Sequence, residues 1–228
     1  MARILEEVEW NRRRTRARLR FEDDSVITLR AATMRDALPR PGQAYEADEV
    51  GRWERADARV RAREGALRLL DYRGRSAGEL RQALLRRGHD EDAVREVADA
   101  LAAAGLINDE AYAEAYVRGR IARRPRGARA LVLELRRRQV DERVAQAAVA
   151  RVMGDEGIGE PELARQAARG WLSRQAPEEV SRARAGEPEA RERLYRRARG
   201  WLQRRGFSGD VAHQQVARLL GGETIEGG

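Results

Sequence analysis

The chain has 228 residues, 46 of them basic and 38 acidic, giving a formal net charge of +8. It has no cysteine, which excludes disulfides, thiol nucleophiles and thiolate zinc sites, and no lysine, which excludes a standard Walker phosphate loop. Aromatic residues are 5% of the total and Ala, Leu and Val supply most apolar matter, a balance that suits packed helices better than sheets.

No run approaches the ~18 consecutive apolar residues of a spanning helix, and the N-terminus lacks a signal-peptide apolar core. A soluble, cytoplasmic protein with no membrane partner is expected. Arginine as the only strong base favours bidentate contacts with phosphate and carboxylate, although GC-rich codon usage produces the same bias.

Residues 14 to 30 alternate with period two. Ala17, Leu19 and Phe21 fall on one face and Arg14, Arg16, Arg18 and Arg20 on the other. With Asp23-Asp24 as a turn before Val26, Ile27 and Leu29, this reads as a β-hairpin. Its arginine face fits phosphate contact or protection of an exposed sheet edge. Pro39, Pro41 and Gly42 then break the chain, and a long helical pattern starts at Asp48.

From Ser76 the helix signals become regular. Ser76 and Glu79 form a capping box, Leu80, Ala83 and Leu84 line one face, and Gly88 supplies a left-handed stop. Asp90 caps a second helix through Val94, Val97 and Leu101 that Gly105 closes, and a third follows Asn108. A shift of 51 residues lays this pattern on itself, Leu80 meeting Leu131 and Asp90 meeting Asp141. A further shift of 67 carries Leu135 to Leu202 and Val140 to Phe207.

The expectation is a mainly α protein, a tandem array of three three-helix repeats preceded by a small N-terminal β-hairpin unit. Boundaries fall at 1–47 for the N-terminal unit, 48–105, 106–154 and 160–221 for the repeats, and 222–228 for a disordered tail. The third repeat carries an inserted loop or short helix near 175–188, and 154–161 reads as a hinge.

Charge concentrates between Arg118 and Arg138, where nine arginines stand against Glu134 alone. Taking these from 46 and 38 leaves 37 basic and 37 acidic residues, so the excess is local. Focused positive charge attracts polyanions, while the bland alternative is a solvated helix face. Candidate contact residues are Arg118, Arg123, Arg124, Arg126, Arg129, Arg136 and Arg137, because Ala128, Leu131, Val132 and Leu135 take the apolar stripe. Arg86, Arg87, Arg196 and Arg199 form a secondary set. Arg86-Arg87, Arg137-Arg138 and Arg204-Arg205 recur at one place in each repeat, where offsetting the helix dipole also explains them.

Arg120 falls inside an apolar stripe and reads as an ion-pair partner. Trp171 and Trp201 read as core rather than base-stacking platforms. His89 and His213 lack partners at metal-ligand spacing, and no GxGxxG, HExxH or GxSxG occurs. Neither catalytic residues, a metal nor a cofactor is expected.

The segments LLRRGHDEDAVREVADALAAAGLINDEAYAEAYVRGR and RGARALVLELRRRQVDERVAQAAV closely resemble the RecX family of bacterial regulatory proteins. The third copy matches more loosely, and Gln139 stands where members usually have glycine, which puts that turn's geometry in question. The resemblance implies a non-enzymatic modulator that binds the RecA filament in its groove and curbs ATPase, strand-exchange and repressor-cleavage activities in DNA repair, homologous recombination and the SOS response. The implied partners are RecA and single-stranded DNA, with no small-molecule substrate. Two alternatives stand beside it: a stand-alone helix-turn-helix-like DNA reader, and a protein-only adaptor.

Overall fold

A computed structural model describes residues 2–35 and 38–221, so the tail expected at 222–228 lies outside the described residues. The chain forms two compact units, Met1–Ile107 and Asn108–Gly228.

In the first unit, strands β1 (Arg3–Trp10), β2 (Arg16–Phe21), β3 (Val26–Arg30) and β4 (Ala44–Tyr45) make an antiparallel sheet in the order β3-β2-β1-β4. The expected hairpin is present as β2 and β3, inside a larger sheet. Leu5, Ala17, Leu19, Phe21 and Leu29 bury one face with Tyr45 and Val50. The edge-protection reading of the arginine face fails because β2 is central. Arg18 and Arg20 stand opposite Glu9 and Glu7 of β1, and the Arg20 guanidinium meets Glu6 at 2.7 Å and Glu7 at 2.9 Å. Opposite charges across a strand pair stabilise the ladder.

Helix α1 (Ala47–Tyr72) is tied to the sheet by Asp57, which is 4% exposed. Its carboxylate accepts the Arg30 backbone N–H at 2.6 Å and the Thr33 hydroxyl at 3.0 Å, so burial leaves it satisfied. Along α1, Ala58, Ala62, Ala66 and Leu69 pack with α2 (Ala77–Leu85) and α3 (Glu91–Ala103), whose contributions include Leu80, Leu84, Val94 and Leu101. Ser76 and Asp90 cap these helices by accepting the N–H groups of Glu79 and Ala93.

The second unit holds α4 (Asp109–Arg123), α5 (Ala128–Arg137), α6 (Glu142–Asp155), α7 (Glu160–Leu172), α8 (Pro177–Arg184), α9 (Pro188–Arg204) and α10 (Gly209–Gly221). One continuous core runs from Val117, Leu131 and Leu135 to Leu163, Leu194, Leu202 and Val216. The segment read as a hinge is a turn through Gly157, at φ +60°, and it does not separate two cores. The insertion near 175–188 is the short helix α8, lying against α9.

Gln139 does not alter its turn. It takes φ +59°, where Gly88 and Gly206 take +77° and +85°. At all three ends the N–H of the residue after the left-handed position returns five positions: His89 to Leu84, Val140 to Leu135 and Phe207 to Leu202. This is one Schellman closure repeated three times.

A basic surface on the second unit

Gly127 precedes helix α5 at the position equivalent to Ser76, but no side chain caps the helix. Instead the turn after α9 occupies that space. The Gly127 N–H donates to the Arg205 carbonyl at 3.0 Å, and the Arg205 guanidinium donates to the Pro125 carbonyl at 3.3 Å. That guanidinium also lies 4.3 Å over the Trp201 ring. Burial, followed by repulsion from Arg126, Arg174 and Arg124, lowers the Arg205 pKa from its ordinary value.

Glu134 decides how the dense arginine stretch divides. It draws in Arg120 and Arg126, each at 2.9 Å, and accepts the Tyr116 hydroxyl at 2.6 Å. The Arg126 Nε has no hydrogen-bond partner despite that distance, so the pair is a Coulomb contact with poor alignment. Arg120 is therefore the ion-pair partner its place in the apolar stripe suggests. Arg118 lies 3.3 Å from Glu114, with Asp155 and Glu156 further off, and Arg136 lies 3.2 Å from Glu142. Arg138 is half-buried, with its guanidinium 4.7 Å from the Tyr116 ring centroid.

Arg123, Arg124, Arg129 and Arg137 are exposed and have no carboxylate within ion-pair distance among the described residues. Of the seven leading candidates, Arg118, Arg126 and Arg136 are thus already neutralised to some degree. Exposed pairs such as Arg136 with Glu142 are worth only about 0–1 kcal/mol, so a phosphate can displace the carboxylate. In the secondary set, Arg196 pairs with Glu192 at 3.1 Å, and Arg199 is exposed. Arg86 and Arg87 lie in the first unit at the end of α2, also exposed.

Three depressions follow one another across this unit. One of about 480 Å³ is lined by Arg129, Leu133, Arg136 and Gln146. The next, about 340 Å³, shares Arg129 and Leu133 and reaches Arg204 and Phe207. A third, about 610 Å³, shares Arg204 and continues to Trp201, Trp171 and Arg193. Arg129 and Arg204 therefore bridge repeats two and three in one basic track. Leu133 is 48% exposed between them. Sequence reasoning assigned Arg204 to dipole compensation and passed over Leu133 and Arg193. Their relation to Arg129 depends on the docking of Gly127 against Gly206, which no local pattern announces. Trp171 is buried as expected for a core residue, while Trp201 is half-buried and lines the third depression.

Comparison with known proteins decides the family. Residues 62–101 match the model described as RecX, first three-helix domain, and residues 108–149 that of RecX, second three-helix domain. The Regulatory protein RecX of Mycolicibacterium smegmatis is 36% identical over 188 residues, covering 81% of this chain and 95% of that protein. The chain belongs to the RecX family. The Regulatory protein RecX of Thermobifida fusca is likewise 36% identical, over 86% of this chain and 94% of its own length. A crystal structure of regulatory protein RecX superposes with TM-score 0.63 over 92% of this chain and 97% of its own, at 20% identity, a likeness of fold. A crystal structure of RecX from Lactobacillus salivarius gives 0.56 over 72% and 97%, at 22% identity.

Both family models lie within repeats one and two. The track's continuation along α9 lies outside the residues that these two models match. Among the described residues no helix is long and apolar enough to cross a membrane, and no group of three or more His, Cys, Asp or Glu is placed to hold a metal ion.

Proposed function

We propose that this chain is a non-enzymatic regulator of the RecA recombinase. It binds the RecA filament in the cytoplasm and lowers its ATP hydrolysis, strand exchange and repressor cleavage. Arg123, Arg124, Arg129 and Arg137, joined by Arg136, contact DNA held within or beside the filament. Membership of a family of regulatory proteins supports the first part. The observation that carries the second is the set of exposed arginines without carboxylates on one unit, where polyanions accumulate and release counterions on binding.

The test is a titration of this protein into RecA hydrolysing ATP on single-stranded DNA, beside binding to bare DNA and to DNA-free RecA at one salt concentration. Hydrolysis falls as the protein saturates the filament. Unchanged hydrolysis at saturation sinks the reading. A second reading, a protein-only adaptor, draws on Leu133, since an apolar side chain 48% exposed among arginines suits a peptide with acidic and apolar residues. It predicts binding to DNA-free RecA and none to bare DNA.

A further inference from the structure

The third repeat carries a pocket that the regulatory reading does not use. Trp171 and Trp201, with ring centroids 6.3 Å apart and planes at 41°, form its floor. Arg193, Arg196, Arg197 and Arg204 surround them. Two of these are committed: Glu179 takes Arg193 at 3.2 Å and Arg197 at 3.0 Å, and Gln175 also holds Arg197. Arg196 has an exposed pair with Glu192, and Arg204 has no carboxylate within reach among the described residues. Charge is therefore available on the side leading toward Arg129, and aromatic surface at the far end. Arg205 stacks on Trp201 without lining the pocket, so it braces the indole while leaving the pocket open.

We infer that this pocket is a nucleotide subsite for single-stranded nucleic acid, with a base lodged against Trp201 and its flanking phosphates on Arg204 and Arg196. The inference rests on the DNA-contact reading of α5 and extends it along the track. Three features favour a single strand. The track sets exposed apolar surface among arginines, Leu133 between Arg136 and Arg129 and then Trp201 beside Arg204. Base-tolerant strand binders combine a basic groove with aromatic platforms in this way. The depression of about 610 Å³ has room for an unpaired base against its aromatic floor, whereas the bases of a duplex stay paired within the double helix. An acidic peptide would satisfy the arginines and leave the indoles unused.

The test compares the full chain binding a labelled oligo(dT) and an oligomer of the same length in which abasic sugar phosphates replace the nucleotides. The parent protein binds the natural strand on the order of tenfold more tightly, the range one stacked base supplies. Trp201→Ala abolishes that preference and Trp201→Phe restores most of it, with thermal unfolding confirming that both variants fold. Arg204→Ala flattens the slope of log affinity against log salt by about 0.7, the share of one single-strand phosphate. Equal affinity of the parent for both oligomers overturns the inference, as does no binding to either. If Arg204→Ala keeps the parent slope but abolishes binding to DNA-free RecA, the occupant is protein and the inference also fails. Inhibition of RecA hydrolysis reads separately: a base preference without inhibition leaves the pocket standing and removes the RecA reading, and the reverse result does the opposite.

Discussion

The carbonyl of Gly206 fills the space that a side chain on Gly127 would need. A Cβ built on Gly127 falls 2.1 Å from that oxygen, and one on Gly206 falls 2.4 Å from the Ala130 nitrogen. Backbone cannot retreat as a flexible side chain does. Gly127→Ala should therefore separate α5 from the α9 turn and destabilise the second unit by at least the ~1–3 kcal/mol of overpacking. Gly206→Ala adds the cost of a non-glycine residue at φ +85°, about 1–2 kcal/mol more. Denaturant unfolding of both variants measures this, and a destabilisation under about 0.5 kcal/mol in either, the range of an ordinary surface substitution, refutes the close docking. Gly127→Ser is equally harmful, since no room exists for the cap that Ser76 provides in the first repeat.

Gln139 holds the same left-handed position as Gly88 and Gly206 with a side chain attached. That conformation costs an L-residue about 1–2 kcal/mol, partly offset because glycine loses more entropy on folding. Gln139→Gly should stabilise the second unit by about 1 kcal/mol, a rise of roughly 4 °C in its melting temperature. Unchanged or lower melting would mean that the Gln139 side chain contributes interactions that compensate its strain.

Caps and the apolar stripe of α5 were legible because each follows from spacing within a dozen residues, and the repeats because that local pattern recurs at shifts of 51 and 67 residues. Strand β1 was not. Its pairing shifts between Leu5 and Glu7, which sets both Glu6 and Glu7 toward Arg20 and breaks the alternation that betrays β2. The basic stretch was visible as charge, but which arginines stay free depends on the acids that folding places beside them: Glu114 one turn back for Arg118, with Asp155 and Glu156 beyond it, and Glu142 at the start of the next helix for Arg136. Gln139 shows the converse limit, since the Schellman hydrogen bonds formed without the glycine by which such a turn is recognised.

His89 sits over α1, its Nε2 2.9 Å from where a Cβ on Gly65 would stand. Burial lowers its pKa from 6.5, and the cations Arg61, Arg30, Arg68 and Arg87 lower it further. The unfolded chain then binds a proton at a higher pH than the folded one. This part of the first unit's stability is intact above pH 6.5 and is lost as pH falls below that value toward the folded pKa. Melting of the parent should fall over that interval more steeply than melting of His89→Gln. Parallel curves would show that His89 protonates as easily in the folded unit as in the unfolded chain.

Arg129 and Arg136, one on each side of Leu133, give the sharpest test of DNA binding by α5. Their separation of seven residues places them about 10 Å apart along the helix, a reach suited to neighbouring phosphates. Each arginine that meets a single-strand phosphate adds about 0.7 to the salt slope, so replacing both with alanine flattens it by roughly 1.4. Arg136 must first leave Glu142, but that pair is exposed and weak. Folding survives, because both side chains are exposed and such substitutions usually cost within about 0.5 kcal/mol. The control is Arg86→Ala with Arg87→Ala at the end of α2, where cations offset the helix dipole by roughly 0.3–1 kcal/mol each. That pair should lower melting slightly and leave the slope nearly unchanged. If the Arg129 and Arg136 variant keeps the parent slope yet binds DNA-free RecA more weakly, these arginines meet protein carboxylates and the adaptor reading replaces DNA binding.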